Sequence, residues 1–186
     1  RVLIRVDIQN DFLPGGSLAD PKGDEVIPVV NRLSSELDFD LEVDTQDYHP
    51  EKHCSFQRFP PHCVAGTRGA EFHTGLVRNK SARVFRKATQ ANSDSFSGFG
   101  NQEPFLHSAS IQEVFAVGLA LDYCVKETAL DAKKAGFDTF VVLDACRSVD
   151  TVNGGEAAAV DEMKSAGIVL LNSSDLLSKK PAFQKS

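Results

Sequence analysis

The sequence predicts a three-layer α/β/α sandwich on a central six-stranded, mainly parallel sheet of Rossmann-like type. Short apolar runs alternate with amphipathic ones along the chain, which is the pattern of successive βαβ units. The strand-like runs, such as Val2-Leu3-Ile4-Arg5-Val6 and Val114-Phe115-Ala116-Val117-Gly118-Leu119, are almost continuously apolar, as strands covered on both faces must be. Two helical runs close on a glycine, Gly136 and Gly167, directly before the next strand. The preference for right-handed crossovers then places helices on both sides of the sheet.

The elements follow in order. A first strand spans Val2 to Ile8, and a turn-forming loop follows at Leu13-Pro14-Gly15-Gly16-Ser17. A helix is expected from about Asp24 to Glu36. Its apolar residues Val26, Val29, Val30, Leu33 and Leu37 recur at helical spacing, and Pro28 falls in the first turn, where proline is tolerated. The second strand is Leu41 to Thr45. Residues 48 to 80 carry Pro50, Pro60, Pro61, Gly66 and Gly69 and read as loop; so long a loop inside a compact domain is usually functional. The third strand is Ala82 to Phe85, followed by a loop from Thr89 to Ser110. The fourth strand, Val114 to Leu119, leads into a helix from about Tyr123 to Ala135. A fifth strand (Phe137 to Leu143), a helix (Glu156 to Ala166) and a sixth strand (Ile168 to Leu171) complete the fold. The polar tail, 173 to 186, shows no packing pattern and is expected to be mobile.

Composition narrows the function. The 186 residues, 41% hydrophobic and 25% charged, suit one globular domain spanning 1–186. A formal net charge of −6 argues against a nucleic-acid partner, which needs a basic face. No apolar run approaches the ~20 residues of a membrane span, so no membrane association is expected. The start shows no secretory pattern, although the chain opens at Arg1 rather than methionine, which leaves room for a preceding segment. Four cysteines (Cys54, Cys63, Cys124, Cys146) are too few for a disulfide framework and fit a reducing, cytoplasmic compartment.

Three chemically active residues fall at or just beyond strand ends: Asp7, Lys87 and Cys124. The crevice at the carboxyl ends of a parallel sheet is where ligands bind. If the three strands are neighbours, an acid, an amine and a thiol meet there, and that set suits covalent catalysis. Cys124 opens a helical pattern, so the helix dipole and a nearby lysine should favour thiolate, while backbone N–H groups of the same turn suit an oxyanion. Each residue has a plainer reading: a buried small apolar cysteine, a turn-capping aspartate, a solvated lysine. Asp11 is the competing carboxylate and reads as the structural one.

A second cluster has the look of a metal site. Asp47-x-His49 in an extended stretch puts two ligands on one side, and His62 returns after the Pro60-Pro61 pair. A carboxylate with two imidazoles holds Zn²⁺, Fe²⁺ or Mn²⁺ with positions left open. His53 stands by as a fourth ligand or as a group that orients one. A histidine-rich surface loop is the plainer alternative.

These segments carry a resemblance. Asp7-Ile8-Gln9-Asn10-Asp11-Phe12, Asp47-Tyr48-His49-Pro50-Glu51-Lys52-His53, Pro60-Pro61-His62-Cys63-Val64-x-Gly66-Thr67-x-Gly69-Ala70, Asp94-Ser95-Phe96-Ser97-Gly98-Phe99 and Gly118-Leu119-Ala120-Leu121-Asp122-Tyr123-Cys124-Val125 occur in order over nearly the whole chain. Together they resemble the nicotinamidases of the isochorismatase-like cysteine hydrolase superfamily. The resemblance implies hydrolysis of nicotinamide to nicotinate and ammonia in NAD salvage, with a triad of Asp7, Lys87 and Cys124. It implies one divalent metal, foremost Zn²⁺ with Fe²⁺ or Mn²⁺ as alternatives, on Asp47, His49 and His62, joined in some members by a residue at the place of His53. It implies an oxyanion hole from the backbone N–H groups of Leu121 and Cys124, a cis peptide between Ala120 and Leu121, and a small aromatic amide held among Phe12, Phe59, Phe96, Ala120 and Tyr123. It also implies a homo-oligomer.

Two departures stand out. Leu121 replaces a common threonine, and Phe59 and Phe96 replace a common tryptophan and tyrosine; both keep apolar bulk and touch fine specificity rather than chemistry. Metal-independent relatives that cleave isochorismate, N-carbamoylsarcosine or ureidoacrylate are one alternative. A metal- or thiol-binding module without turnover is the other. The absence of a Cys-x-x-Cys spacing argues against a redox pair.

Overall fold

The computed structural model describes residues 1–99, 106–107, 109–149 and 154–178. Six strands form one sheet: β1 (Val2–Val6), β2 (Leu41–Asp47), β3 (Arg83–Lys87), β4 (Glu113–Leu119), β5 (Asp138–Arg147) and β6 (Val169–Leu171). Their spatial order is β3-β2-β1-β4-β5-β6, and every neighbouring pair is parallel. The helices packed on it include α1 (Val26–Glu36), α2 (Lys126–Lys134), α3 (Gly155–Ser165) and α4 (Ser173–Leu177).

Alternation along β1 explains the layers. Val2, Ile4 and Val6 join one core with Ala129 and Ala132 of α2 and Met163 of α3. Leu3 joins the opposite core with Val26, Val30 and Leu33 of α1 and Leu176 of α4. Arg5 interrupts the apolar run of β1 but is fully buried. It lies opposite Asp44 of β2, whose carboxylate accepts from Arg5 Nε at 2.7 Å, and Glu42 Oε2 lies 3.1 Å from Arg5 Nη1.

The strand ends differ from expectation where the site is built. β1 stops at Val6 because Asp7 takes a left-handed backbone, φ +50°. β3 runs from Arg83 to Lys87, so Lys87 is the last residue of the strand rather than two residues beyond an end at Phe85. β5 continues to Arg147 because the β4–β5 register shifts between Ala116 and Gly118, which lets Gly118 and Leu119 pair with Cys146 and Arg147. Gly118 sits at that bulge with φ +116°, and a Cβ there would lie 2.2 Å from the Val6 carbonyl oxygen, so only glycine lets β1 and β4 close up.

The expectation of a structureless tail from 173 is corrected. Ser173–Leu177 forms α4, with a capping box between Asn172 and Asp175 and with Leu176 buried. The Ser173 amide also donates to Asp144 Oδ1 at 2.7 Å. Its polar residues are therefore caps and anchors around one apolar contact. Residues 179–186 of that tail, and 100–105 and 108 of the loop before β4, lie outside the described residues.

Candidate active site

The chain leaves β1 in one direction for β2 and β3 and returns on the other side for β4 to β6, so the strand order reverses between β1 and β4. A crevice opens beyond the carboxyl ends of such strands. Asp7 follows β1, and Cys124 lies in a π-helical turn, Leu121–Val125, that follows β4. β3 is not a neighbour of β1: β2 lies between them. The length of the lysine closes that gap. Lys87 Nζ lies 3.0 Å from Asp7 Oδ2 and 3.5 Å from Cys124 Sγ. It also donates to Asp47 Oδ1 and, at 3.2 Å, to the Ser95 carbonyl. All four side-chain groups are buried.

The two carboxyls that share this ammonium are pushed apart. Asp47 is held at about 2, since Lys87 and His49 together outweigh a large desolvation penalty. Asp7 is raised, with burial the leading cause and the Lys87 charge opposing it. Thr45 Oγ1 donates to Asp7 Oδ1 at 2.7 Å and accepts from the Asp7 amide at 3.3 Å, which fixes the carboxyl's orientation. The expected thiolate is corrected: burial raises the Cys124 thiol well above its ordinary value, and Asp7 and Asp47 reinforce that against Lys87. The neighbouring helix terminus and one ammonium are too little against full desolvation and two carboxylates.

Asp47, His49 and His62 place ligand atoms within 4.8 Å of one another, all three buried. Asp47 ends β2, and its backbone is clamped by Gln9, whose amide donates to the Asp47 carbonyl at 2.8 Å and accepts from its N–H at 2.9 Å. His49 and its loop are zipped to residues 63–65 by His49 N–H to the Cys63 carbonyl, 3.0 Å, and Ala65 N–H to the His49 carbonyl, 2.8 Å. The ring nitrogens make the test of a metal. His49 Nδ1 faces the Ala88 carbonyl at 3.2 Å and His62 Nδ1 the Pro60 carbonyl at 2.8 Å. A carbonyl only accepts, so both Nδ1 atoms carry hydrogen and both Nε2 lone pairs are left for the cluster. Buried His49 Nε2 has no hydrogen-bond partner among the described residues and lies 3.5 Å from Asp47 Oδ2. Burial also lowers His62 and keeps its imidazole neutral. An ionised Asp47 carboxylate, a neutral His62 imidazole and a His49 Nε2 turned toward Asp47 fit a divalent metal ion.

His53 is placed differently. It stacks on His49 at 4.2 Å between centroids, but Ser55 N–H donates to its Nδ1 at 3.2 Å and its Nε2 faces the Ser93 carbonyl at 3.1 Å. Both nitrogens are committed, so His53 buttresses His49 here rather than offering a lone pair. Phe56, which carries no sequence signal beyond its apolar character, meets His49, His53 and His62 edge-on at 5.6, 5.8 and 5.6 Å. Thr45 is equally silent in sequence, and Gln9 stands in a resembling segment without a role assigned to it; both act through partners far along the chain.

A cavity of about 160 Å³ joins the two clusters, lined by Asp47, His49 and His62 at one wall and Cys124 at another. Phe12, Phe59, Phe96, Ala120 and Tyr123 all line it, as expected. Phe59 and Phe96 flank Tyr123 at 6.3 and 5.6 Å. Leu18, Ala19, Asp20 and Val149 were not anticipated. Leu121 is buried and does not line it. The non-proline cis peptide joins Leu119 to Ala120, one bond earlier than expected. Ala120 is already committed to the turn, its carbonyl accepting from the Tyr123 and Val125 N–H groups.

Asp11 is structural. Its carboxylate accepts from the Cys63 amide at 2.7 Å and the Ser17 amide at 3.3 Å, and it lies where a Cβ on Gly69 would be, 2.0 Å away. It ties three loops around the cavity.

A buried thiol, carboxyl and ammonium in contact, beside a metal-competent trio, form a set able to hydrolyse a small acyl compound through a covalent intermediate. Comparison with known proteins agrees. The isochorismatase domain family matches residues 1–175. A nicotinamidase of Acinetobacter baylyi is 36% identical, with 94% of each chain covered. A protein of L. infantum solved in complex with nicotinate is 42% identical with a TM-score of 0.89, covering 93% of this chain and 92% of that one. A pyrazinamidase of Pyrococcus horikoshii solved in complex with zinc is 38% identical with a TM-score of 0.84, covering 92% and 98%. With the all-parallel sheet, the crevice at its switch point and these matches in hand, the chain belongs to the isochorismatase family of hydrolases.

Proposed function

We propose that this chain is a nicotinamidase: it hydrolyses the carboxamide of nicotinamide to nicotinate and ammonia through a thioester on Cys124, a step of NAD salvage in the cytoplasm. The observation that carries the reading is Lys87 Nζ bridging Asp7 Oδ2 and Cys124 Sγ, at 3.0 and 3.5 Å, behind a cavity lined by Cys124 and by the Asp47, His49 and His62 trio. The nicotinamidase and nicotinate-bound relatives support the choice of substrate.

Asp7 is the proton carrier, because it alone of the two carboxyls is raised toward the range where a proton moves at neutral pH. The Cys124 thiol hands its proton to Asp7 as sulfur attacks the amide carbon, so no standing thiolate is needed. A carbon–sulfur bond forms and the carbonyl electrons move to oxygen. Backbone N–H groups of Leu121 and Cys124, at the start of the turn after β4, receive that oxyanion; one such donor is typically worth ~3–4 kcal/mol. Asp7 returns the proton to nitrogen as the carbon–nitrogen bond breaks and ammonia leaves. Asp7 next takes a proton from a water that attacks the thioester, and the departing sulfur recovers it, releasing nicotinate. Throughout, Lys87 balances the carboxyl charge and holds Asp7 against Cys124. The aromatic walls from Phe12, Phe59, Phe96 and Tyr123 sandwich the pyridine ring and exclude bulk water.

Asp47, His49 and His62 would hold the divalent ion, for which zinc is our first choice given the zinc-bound relative. When bound, that ion supplies a Lewis-acid contact that orients an aromatic ring nitrogen. The protein is expected to work as a homo-oligomer.

The test is ammonia release from nicotinamide before and after chelation. Release that chelation abolishes and zinc, iron or manganese restores supports the reading. Metal retained with no release refutes the amide substrate, and full activity of Cys124→Ala refutes the thioester.

A further inference from the structure

Two acids in the cavity wall, Asp20 and Asp94, take no part in the chemistry above; Asp94 is exposed and Asp20 is buried. Asp20 is only 4% exposed. Its amide donates to the Phe12 carbonyl at 3.0 Å, and its Oδ1 accepts from the Lys22 amide at 2.8 Å. Its Oδ2 is buried and has no hydrogen-bond partner among the described residues. The cavity lining also includes the apolar residues Leu18, Ala19, Leu119 and Val149. Burial leads the forces that raise its carboxyl, and the charged groups that act on it are Arg147, Asp122 and Glu25. Arg147 ends β5 and Asp122 follows β4, whereas the metal trio lies at the end of β2 and its loop. In the sheet order these lie on opposite sides of β1, and Asp20, Cys124 and the trio all line the one cavity.

An unpaired buried acceptor costs stability in the empty protein and returns that cost only when a ligand donates to it. A site built that way discriminates strongly in favour of ligands bearing the donor, whereas apolar walls separate similar ligands weakly. We propose that Asp20 Oδ2 is a specificity determinant that accepts a hydrogen bond from an N–H or O–H group on the ring edge turned away from the metal trio, so that this chain favours donor-substituted pyridine carboxamides. The inference rests on the nicotinamidase reading and refines its substrate class.

The experiment compares kcat/KM for nicotinamide, for 5-amino- and 6-aminonicotinamide, and for their isosteric methyl counterparts. The enzymes are the metal-loaded wild type, Asp20→Asn and Asp20→Leu. Asparagine keeps an acceptor for the Lys22 amide and turns a donor toward the cavity, so the turn survives while the polarity inverts. Wild type should favour amino over methyl at one ring position, and the amino-to-methyl ratio should fall about tenfold or more in Asp20→Asn. In Asp20→Leu the methyl compound should gain. A wild-type ratio at or below one at both positions overturns the inference without recourse to any variant. So does an unchanged ratio in the variants while nicotinamide is still hydrolysed. Failure of wild type to release ammonia from nicotinamide itself is a different result, and refutes the substrate reading on which this one rests.

Discussion

Replacing Lys87 by methionine should damage stability and catalysis together, and in a pH-dependent way. The ammonium lies 3.0 Å from Asp7 Oδ2 and also pairs with Asp47, with all three groups buried. At an effective dielectric of ~20, one such contact is worth ~5 kcal/mol of Coulomb attraction. Desolvation of the lysine offsets much of that in wild type. In the variant the lysine penalty goes, but two carboxyls stay buried without their cation, a loss of ~3–5 kcal/mol. The sign follows from Asp7. Its carboxyl is already raised by burial, and Lys87 is the leading influence that lowers it. Without Lys87 its folded pKa climbs further above the unfolded value. A group raised on folding favours the folded state most below its unfolded pKa, ~3.9, and loses that as pH rises through the folded pKa. The deficit of Lys87→Met against wild type should therefore be greatest near neutral pH and shrink toward pH ~5. Urea denaturation at the two pH values measures it, and kcat/KM for nicotinamide should drop ~10²-fold or more in parallel. A deficit under ~1 kcal/mol at neutral pH, or one of equal size at both pH values, would refute the shared-ammonium account.

Two further outcomes are expected. Thr45→Val removes the hydroxyl that donates to Asp7 Oδ1 at 2.7 Å while keeping the shape, so kcat should fall ~10-fold with KM little changed; a change confined to KM would count against an orienting role. Asp44→Ala strips the fully buried Arg5 of its 2.7 Å partner far from the cavity. It should cost ~3–5 kcal/mol by denaturant titration, and a loss below ~1 kcal/mol would mean that Glu42 and the Val77 carbonyl, each 3.1 Å from Arg5 Nη1, suffice.

The strands were legible because β1 and β4 are buried on both faces and read as unbroken apolar runs. Asp7, Asp47 and Cys124 were legible because such strands end in the crevice. What the sequence hid is long-range. Lys87 was legible as a strand-end residue, but that it meets Asp7 and Cys124 across β2, from a strand that is no neighbour of β1, was not. Thr45 and Gln9 look like ordinary strand and loop residues until the fold sets them against Asp7 and Asp47. The thiol was read as ionised because a helix terminus and a lysine are local features, whereas burial belongs to the assembled protein. α4 was missed because one buried leucine in five residues leaves too short a period to see. The register shift that carries β5 on to Arg147 was equally hidden, since a bulge is a relation between two strands.

The contrast between Asp7 and Asp11 shows how one motif separates chemistry from scaffold, and it can be tested. Both lie in Asp7-Ile8-Gln9-Asn10-Asp11-Phe12, four residues apart, and both are acidic. Asp7 faces Lys87, whereas the Asp11 carboxylate is spent on the amides of Cys63 and Ser17 and is packed against Gly69. Cys63 immediately follows His62, and its carbonyl holds His49 through the backbone. Asp11 thus acts on the metal trio through the peptide chain and leaves the thiol alone. Asp11→Ala should release the 60–66 segment, since a charge-assisted bond to a buried amide is worth ~1.5–3 kcal/mol. If that energy holds His62 in place, metal affinity should weaken ~10- to 100-fold, as it does when groups that orient a ligand are lost. Calorimetric zinc titration measures this directly, and activity at saturating zinc should largely return. Unchanged zinc affinity would mean His62 is held by the Pro60 carbonyl and the proline pair alone. Activity lost at full zinc occupancy would mean that Asp11 reaches the reacting groups by a route other than His62.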